Sequence, residues 1–133
     1  MTLNKEYVAQ LFSNLERGNG DGFFACVADN VKWTVMGTHP LAGAYTSQSE
    51  FRRGTFERLS KVLKDGVVWL HVEHILVSGD YAVVEMTSTS VAHNGRPYNN
   101  QYCWVLRFDG GVVAEVRAYL DSFLVKQILD ENE

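Results

Sequence analysis

Two prolines and two cysteines are all that this chain of 133 residues has of either type. Pro40 and Pro97 read as loop or strand-edge positions, so proline bars no long segment from regular structure. Cys26 and Cys103 lie far apart and match neither a zinc nor a redox spacing; they read as small core-filling thiols. A chain of this length hides roughly two-thirds of its unfolded surface on folding, so it needs no disulfide or metal to hold a core. Excess positive charge is also missing. The net charge is −4, which argues against nucleic acid and against an anionic membrane surface as partners. No apolar run approaches the ~18 residues of a membrane span. The opening MTLNKEYVAQLF lacks a basic segment followed by an apolar one, so no secretory leader is expected and a cytoplasmic location is. Repeats, low-complexity tracts and linker-like stretches are absent too, and residues 1–133 are expected to form a single domain.

Aromatic residues, by contrast, are plentiful: three Trp, six Tyr and seven Phe. The first third reads as helical. Thr2 or Asn4 can cap a helix carrying Val8, Leu11, Phe12 and Leu15 at helical spacing, stopped by Gly18 and Gly20. Asp21 can cap a short second helix with Phe23, Phe24 and Val27. Val31 to Met36 alternates as a short strand, and Gly37 to Tyr45 is a loop by its Gly and Pro content. A third helix is expected from about Ser47 to Lys64. The period then changes from helical to alternating. Val67–Val77, Tyr81–Val91, Tyr98–Phe108 and Val112–Leu120 read as strands joined by tight turns, among them His93-Asn94-Gly95. They form an antiparallel meander, and a helix from about Ser122 to Asp130 closes the chain. Helices first and a long meander after them imply an α+β fold, with a strongly twisted sheet curling around the helices and leaving a pocket.

This order, with Trp33 followed by GTHPLAGAY (37–45), then YNNQY (98–102) leading into Arg107-Phe108, and Arg117-Ala118-Tyr119-Leu120-Asp121, resembles the nuclear transport factor 2-like superfamily. More narrowly, it resembles the SnoaL-like polyketide cyclases and ketosteroid isomerase-related proteins. The resemblance spans nearly the whole chain. It implies a cone-shaped α+β barrel, an antiparallel sheet wrapped around three N-terminal helices. It also implies a small hydrophobic ligand, no cofactor, and pairing of two copies through the outer sheet face, where Val105, Val116 and Ala118 were natural apolar candidates.

Strand alternation groups Glu115, Arg117, Tyr119 and Asp121 on one side of the last strand and Val116, Ala118 and Leu120 on the other. The alternation alone leaves open which side faces inward; the resemblance implies that Asp121, Tyr119, Arg117, Asn100 and Tyr102 face the cavity. It makes Asp121 the first candidate for a general acid/base, tuned by burial. The other reading of Asp121 is structural: a partner of Arg117 or a cap on the final helix. Arg117 and Asn100 are candidates for steadying a developing oxyanion. Trp33, His39, Phe51, Glu85, Tyr102, Trp104 and Tyr119 are candidates for ligand contact. The isomerase pattern is incomplete, because the strand that would supply its carboxylate base reads Val31-Lys32-Trp33-Thr34-Val35. His71, Glu73 and His74 lack a visible third ligand on one face, so no metal site is expected. Three readings follow: a cofactor-independent isomerase or cyclase acting on a small hydrophobic carbonyl compound, a non-catalytic binding or dimerisation module, and an epoxide-hydrolase-like enzyme. The last needs an Asp–Arg–Asp relay for which the second aspartate is not evident.

Overall fold

The computed structural model describes residues 2–133. Helix α1 (Lys5–Glu16) starts where Asn4 accepts the Tyr7 backbone N–H at 2.8 Å, and it buries Val8, Leu11, Phe12 and Leu15. Helix α2 (Gly20–Phe24) follows at once. Its cap is Asn19, which takes the Gly22 N–H at 3.0 Å, and not the expected Asp21; Asp21 lies inside the first turn and pairs with Arg52. The next strand, β1 (Val27–Val35), is four residues longer at its start than its alternation suggested, because Val27 already pairs with Val113. A loop and the short β2 (Gly43–Tyr45) lead to the third helical segment.

That segment is broken. Helix α3 (Gln48–Gly54, capped by Ser47) ends at Thr55, and α4 (Phe56–Ser60) begins there. The Thr55 hydroxyl donates back to the Phe51 carbonyl at 2.8 Å, leaving α4 with no side-chain cap. Four helices therefore precede the meander, where three were expected. The meander is β3 (Leu70–Ser78), β4 (Tyr81–Ser88), β7 (Gln101–Asp109) and β8 (Val112–Leu120). A small hairpin, β5 (Ser90–Val91) and β6 (Pro97–Tyr98), bends away between β4 and β7. Helix α5 (Ser122–Asn132) closes the chain.

The six-stranded sheet runs β2-β1-β8-β7-β4-β3. Its meander pairs are antiparallel, whereas β1 lies parallel to β8, a long-range pairing that local alternation does not reveal. The edge strands β2 and β3 do not pair, so the cone stays open. Tyr102, Trp104, Leu106 and Phe108 of β7 and Val113, Val116 and Ala118 of β8 face the helices and are buried. A bulge at Arg107/Phe108 shifts the register and turns Val113 inward. Aromatic rings fill the middle of the core. Trp33 stacks on Phe51 at 3.8 Å and meets Trp104 edge-on at 5.1 Å. Among the described residues, no helix is long and apolar enough to cross a membrane.

Candidate functional site

Where the cone opens, Trp33, Val35, Phe51, Phe56, Leu59, Tyr102, Trp104, Ala118 and Leu120 enclose an apolar cleft with His39, Leu41 and Thr55 on its rim. Its volume is about 30 Å³, room for roughly one water. Four groups around it carry polar hydrogens or lone pairs. The Thr55 hydroxyl is spent on Phe51. His39 is buried, not at the surface, and both its ring nitrogens meet backbone: Nε2 lies 3.0 Å from the Met36 carbonyl and Nδ1 accepts the Leu41 N–H at 3.2 Å. These partners select the neutral tautomer with the proton on Nε2. Gly37 permits the turn that brings His39 in: its φ is +110°, and a Cβ there would sit 2.5 Å from the Ser122 hydroxyl.

Burial lowers the His39 pKa from its ordinary 6.5, against an opposing pull from the Met36 hydrogen bond. The unfolded chain thus takes up a proton near pH 6.5 that the folded chain resists. The stability from this site is complete above that pH and is lost as pH falls below 6.5, by at most about 1.4 kcal/mol per unit. Urea unfolding between pH 7 and 5 should show the loss in the wild type and a shallower slope in His39→Gln.

The third polar group is Tyr102. Its hydroxyl lies 2.6 Å from that of Tyr98, and Asn100 Nδ2 donates to the Tyr98 hydroxyl at 3.2 Å. Either tyrosine could be the donor between the two. Tyr98 is 0% exposed and has no other acceptor in reach among the described residues. If Tyr102 donated, the Tyr98 proton would be stranded, at a cost of about 1–3 kcal/mol. With Tyr98 as the donor, it is the Tyr102 proton that is left without an acceptor among the described residues. Burial pushes Tyr98 up to about 12 and Tyr102 well above its ordinary 10.0, so both remain protonated donors. The fourth group is the Trp33 indole N–H, buried and without a partner.

Asn100 is the clasp that holds this arrangement. Its Nδ2 also donates to the Asp121 carbonyl at 3.1 Å, and its Oδ1 accepts the Asp121 N–H at 2.9 Å. Ser88 fixes the kink before β7: its hydroxyl donates to the Tyr98 carbonyl at 2.7 Å and accepts the Asn100 N–H at 2.9 Å.

The expectation that Asp121, Arg117 and Tyr119 point into the cavity is not met. Asp121 is exposed and its carboxylate caps α5, accepting the Leu124 N–H at 3.2 Å. Arg117 lies on the outer face against Glu115 at 3.4 Å, and Tyr119 is exposed beside it. Glu85 is also outside, 3.3 Å from His74, while His71 lies 3.5 Å from Glu16. The reason is energetic. Turning β8 over would bury a guanidinium and two carboxylates and expose Val116 and Ala118. No ion pair joins Arg117 to Asp121, so the hydrolase relay is not assembled among the described residues. Trp33, Phe51, Tyr102, Trp104 and His39 do converge on the cleft, and Asn100 supports it from behind. Sequence reading missed the role of Tyr98. Its signal was the phase shared with Asn100 and Tyr102 in YNNQY. Because Asn is as good a cap as Asp, Asp121→Asn should change stability by less than about 0.5 kcal/mol and Asp121→Ala should cost about 1 kcal/mol, both read by urea unfolding.

The comparisons agree with this architecture. A crystal structure of an NTF2-like protein from Burkholderia thailandensis superposes with a TM-score of 0.79 at 23% identity, covering 93% of this chain and 95% of that one. The Dimerizing cyclase phiC of a fungus (Fungal sp. strain ATCC 74256) is 29% identical over 98% of this chain and 59% of its own length. The Dimerizing cyclase tstC of Talaromyces stipitatus is 31% identical over 74% of this chain and 45% of its own. The chain thus spans about half the length of these curated relatives. The SnoaL-like domain model matches residues 8–116, most of the sheet and all the helices that build the cleft, and the chain belongs to the SnoaL-like domain family.

Proposed function

We propose that this chain is a cyclase or isomerase of the SnoaL-like kind that binds a small apolar carbonyl compound with only its oxygen end seated in the cleft. It promotes reaction by holding that compound in shape and donating hydrogen bonds to its oxygen. The observation that supports this reading is Tyr102 on the wall of an apolar cleft, its hydroxyl 2.6 Å from that of Tyr98, which Asn100 holds in turn; with Tyr98 donating, the Tyr102 proton is free for a ligand oxygen. A donor fixed in advance in a water-poor site favours the charge that develops on an enolate-like oxygen. Trp33, which also lines the cleft, has a buried indole N–H with no partner among the described residues and is proposed as a second donor. Asp121 caps a helix at the surface and is not assigned a part in proton transfer. No carboxylate lines the cleft, and both His39 nitrogens are engaged. The contribution is therefore orientation and oxyanion stabilisation, with ring closure helped by proximity. The relatives' printed names, dimerizing cyclases, support the cyclase form of the reading.

4-Nitrophenol, an apolar ring with an enolate-like oxygen, is the direct probe. It should bind the wild type and bind Tyr102→Phe about tenfold more weakly, the loss of one hydrogen bond to a charged oxygen. Equal affinity for the two proteins, measured by titration of its absorbance, would remove Tyr102 from the site.

The chain is also proposed to pair with a second copy through the outer sheet face. Leu76, 67% exposed, Val83 and Val105 lie across three neighbouring strands, with Tyr81 and Tyr119 nearby. His74/Glu85 borders this stripe on one side and Arg107/Glu115 on the other, so a two-fold rotation sets charges of both signs against each other. Val116 and Ala118, expected on this face, are in the core instead. Sedimentation should give about twice 15.0 kDa, and Leu76→Glu should return the monomer mass. A wild type that sediments as a monomer at all concentrations would refute the pairing.

A further inference from the structure

A second hollow lies behind the cleft. It has a volume of about 180 Å³ and lies among Leu15, Gly18, Arg52, Phe56 and Val67. Phe56 lines both spaces. At about 30 Å³ the cleft is too small for any carbonyl compound larger than a few atoms, since ligand sites run to some hundreds of Å³. The residue the two spaces share is half-buried and stands at the start of a five-residue helix with no side-chain cap.

We infer that the cleft and the outer hollow are two ends of one elongated site divided by Phe56, and that the site takes an apolar carbonyl compound bearing a carboxylate, which Arg52 binds. This rests on the proposed carbonyl site and adds the substrate's second functional group. Arg52 lies in the last turn of α3, four residues before Phe56 and across the break at Thr55. Its guanidinium lies 4.5 Å from the centre of the Phe24 ring, which fixes its plane. One of its nitrogens, Nη2, donates to Asp21 at 2.7 Å, and Nε and Nη1 have no partner among the described residues. Asp21 is 91% exposed. An ion pair so open to water is weak and readily exchanged for a ligand carboxylate that meets the guanidinium with two parallel hydrogen bonds. Glu57 also lines the hollow, so a single negative charge fits there better than two.

The test compares 2-naphthol with 6-hydroxy-2-naphthoic acid, which share a ring and hydroxyl but differ by the carboxylate, by fluorescence titration at pH 7. The wild type should bind both, the acid about tenfold more tightly. Arg52→Gln should erase that advantage and leave naphthol affinity unchanged. Asp21→Asn, a surface change that frees the guanidinium, should increase the advantage about threefold. Phe56→Ala should speed association of the acid. Naphthol binding with no preference for the acid, or a preference that survives Arg52→Gln, overturns the carboxylate site and leaves the carbonyl site standing. Failure of both compounds to bind the folded wild type overturns the two together.

Discussion

Trp33→Ala is expected to destabilise the folded chain by about 3–5 kcal/mol, the largest effect of any single truncation proposed for this protein. Trp33 is fully buried. One face of its indole stacks on Phe51 at 3.8 Å, its ring meets Trp104 edge-on at 5.1 Å, and Phe24 lies 6.1 Å away. Deleting the indole loses its transfer free energy and leaves a void that rings held by three different elements are slow to fill. A domain of this size holds only about 5–15 kcal/mol in total, so the variant should unfold at far lower urea. Trp33→Phe separates packing from hydrogen bonding. The indole N–H has no partner in the folded chain, so its loss removes no hydrogen bond. Much of the packing survives, and the cost should be about 1–2 kcal/mol. The same change should weaken 4-nitrophenol binding, because that N–H is a proposed donor to the ligand. Phe in place of Trp with full ligand affinity would remove the second donor from the site.

Asn100→Ala is expected to cost about 2–4 kcal/mol and to abolish most ligand affinity as well. The side chain makes three hydrogen bonds: two to the backbone of Asp121 and one to Tyr98. Truncation strands the Asp121 N–H at the β8–α5 junction and removes the amide that holds the Tyr98 hydroxyl against Tyr102. Without that hold the two hydroxyls can shift, and the proposed donor to the ligand loses its fixed position. Asn100→Asp is the informative companion. It keeps the acceptor for the Asp121 N–H but loses the amide donor, so it should retain part of the stability and little of the affinity. A purely structural Asn100 would show affinity and stability falling in proportion across the two variants.

Tyr98, Asn100 and Tyr102 show how far local pattern carries. YNNQY placed all three on one face of a strand, and all three are buried. What alternation could not supply was the hydrogen-bond network around Asn100, which Asp121 and Ser88 join from elsewhere in the chain. The last strand is the opposite case. Its alternation set Val116 and Ala118 against Glu115 and Arg117 and left open which side faces inward. The resemblance to ketosteroid isomerase-related proteins pointed the charged side inward, and the cost of burying charge prevailed. Asp121 was read both as an acid/base and as a helix cap, and the cap is what the fold uses it for.

From residues alone came the change of period near residue 66, the meander with its turns, the first helix with Thr2 or Asn4 as its cap, and an aromatic-rich interior. Each of these is written in neighbouring side chains, whose spacing and turn chemistry act over a few residues. Tertiary structure alone decided the parallel pairing of β1 with β8, the break at Thr55 ahead of Phe56, which lines two hollows, the inward burial of His39, and the contact of the Tyr98 and Tyr102 hydroxyls. Those outcomes depend on groups far apart in sequence competing for the same buried space and the same hydrogen bonds, and no local pattern records who wins.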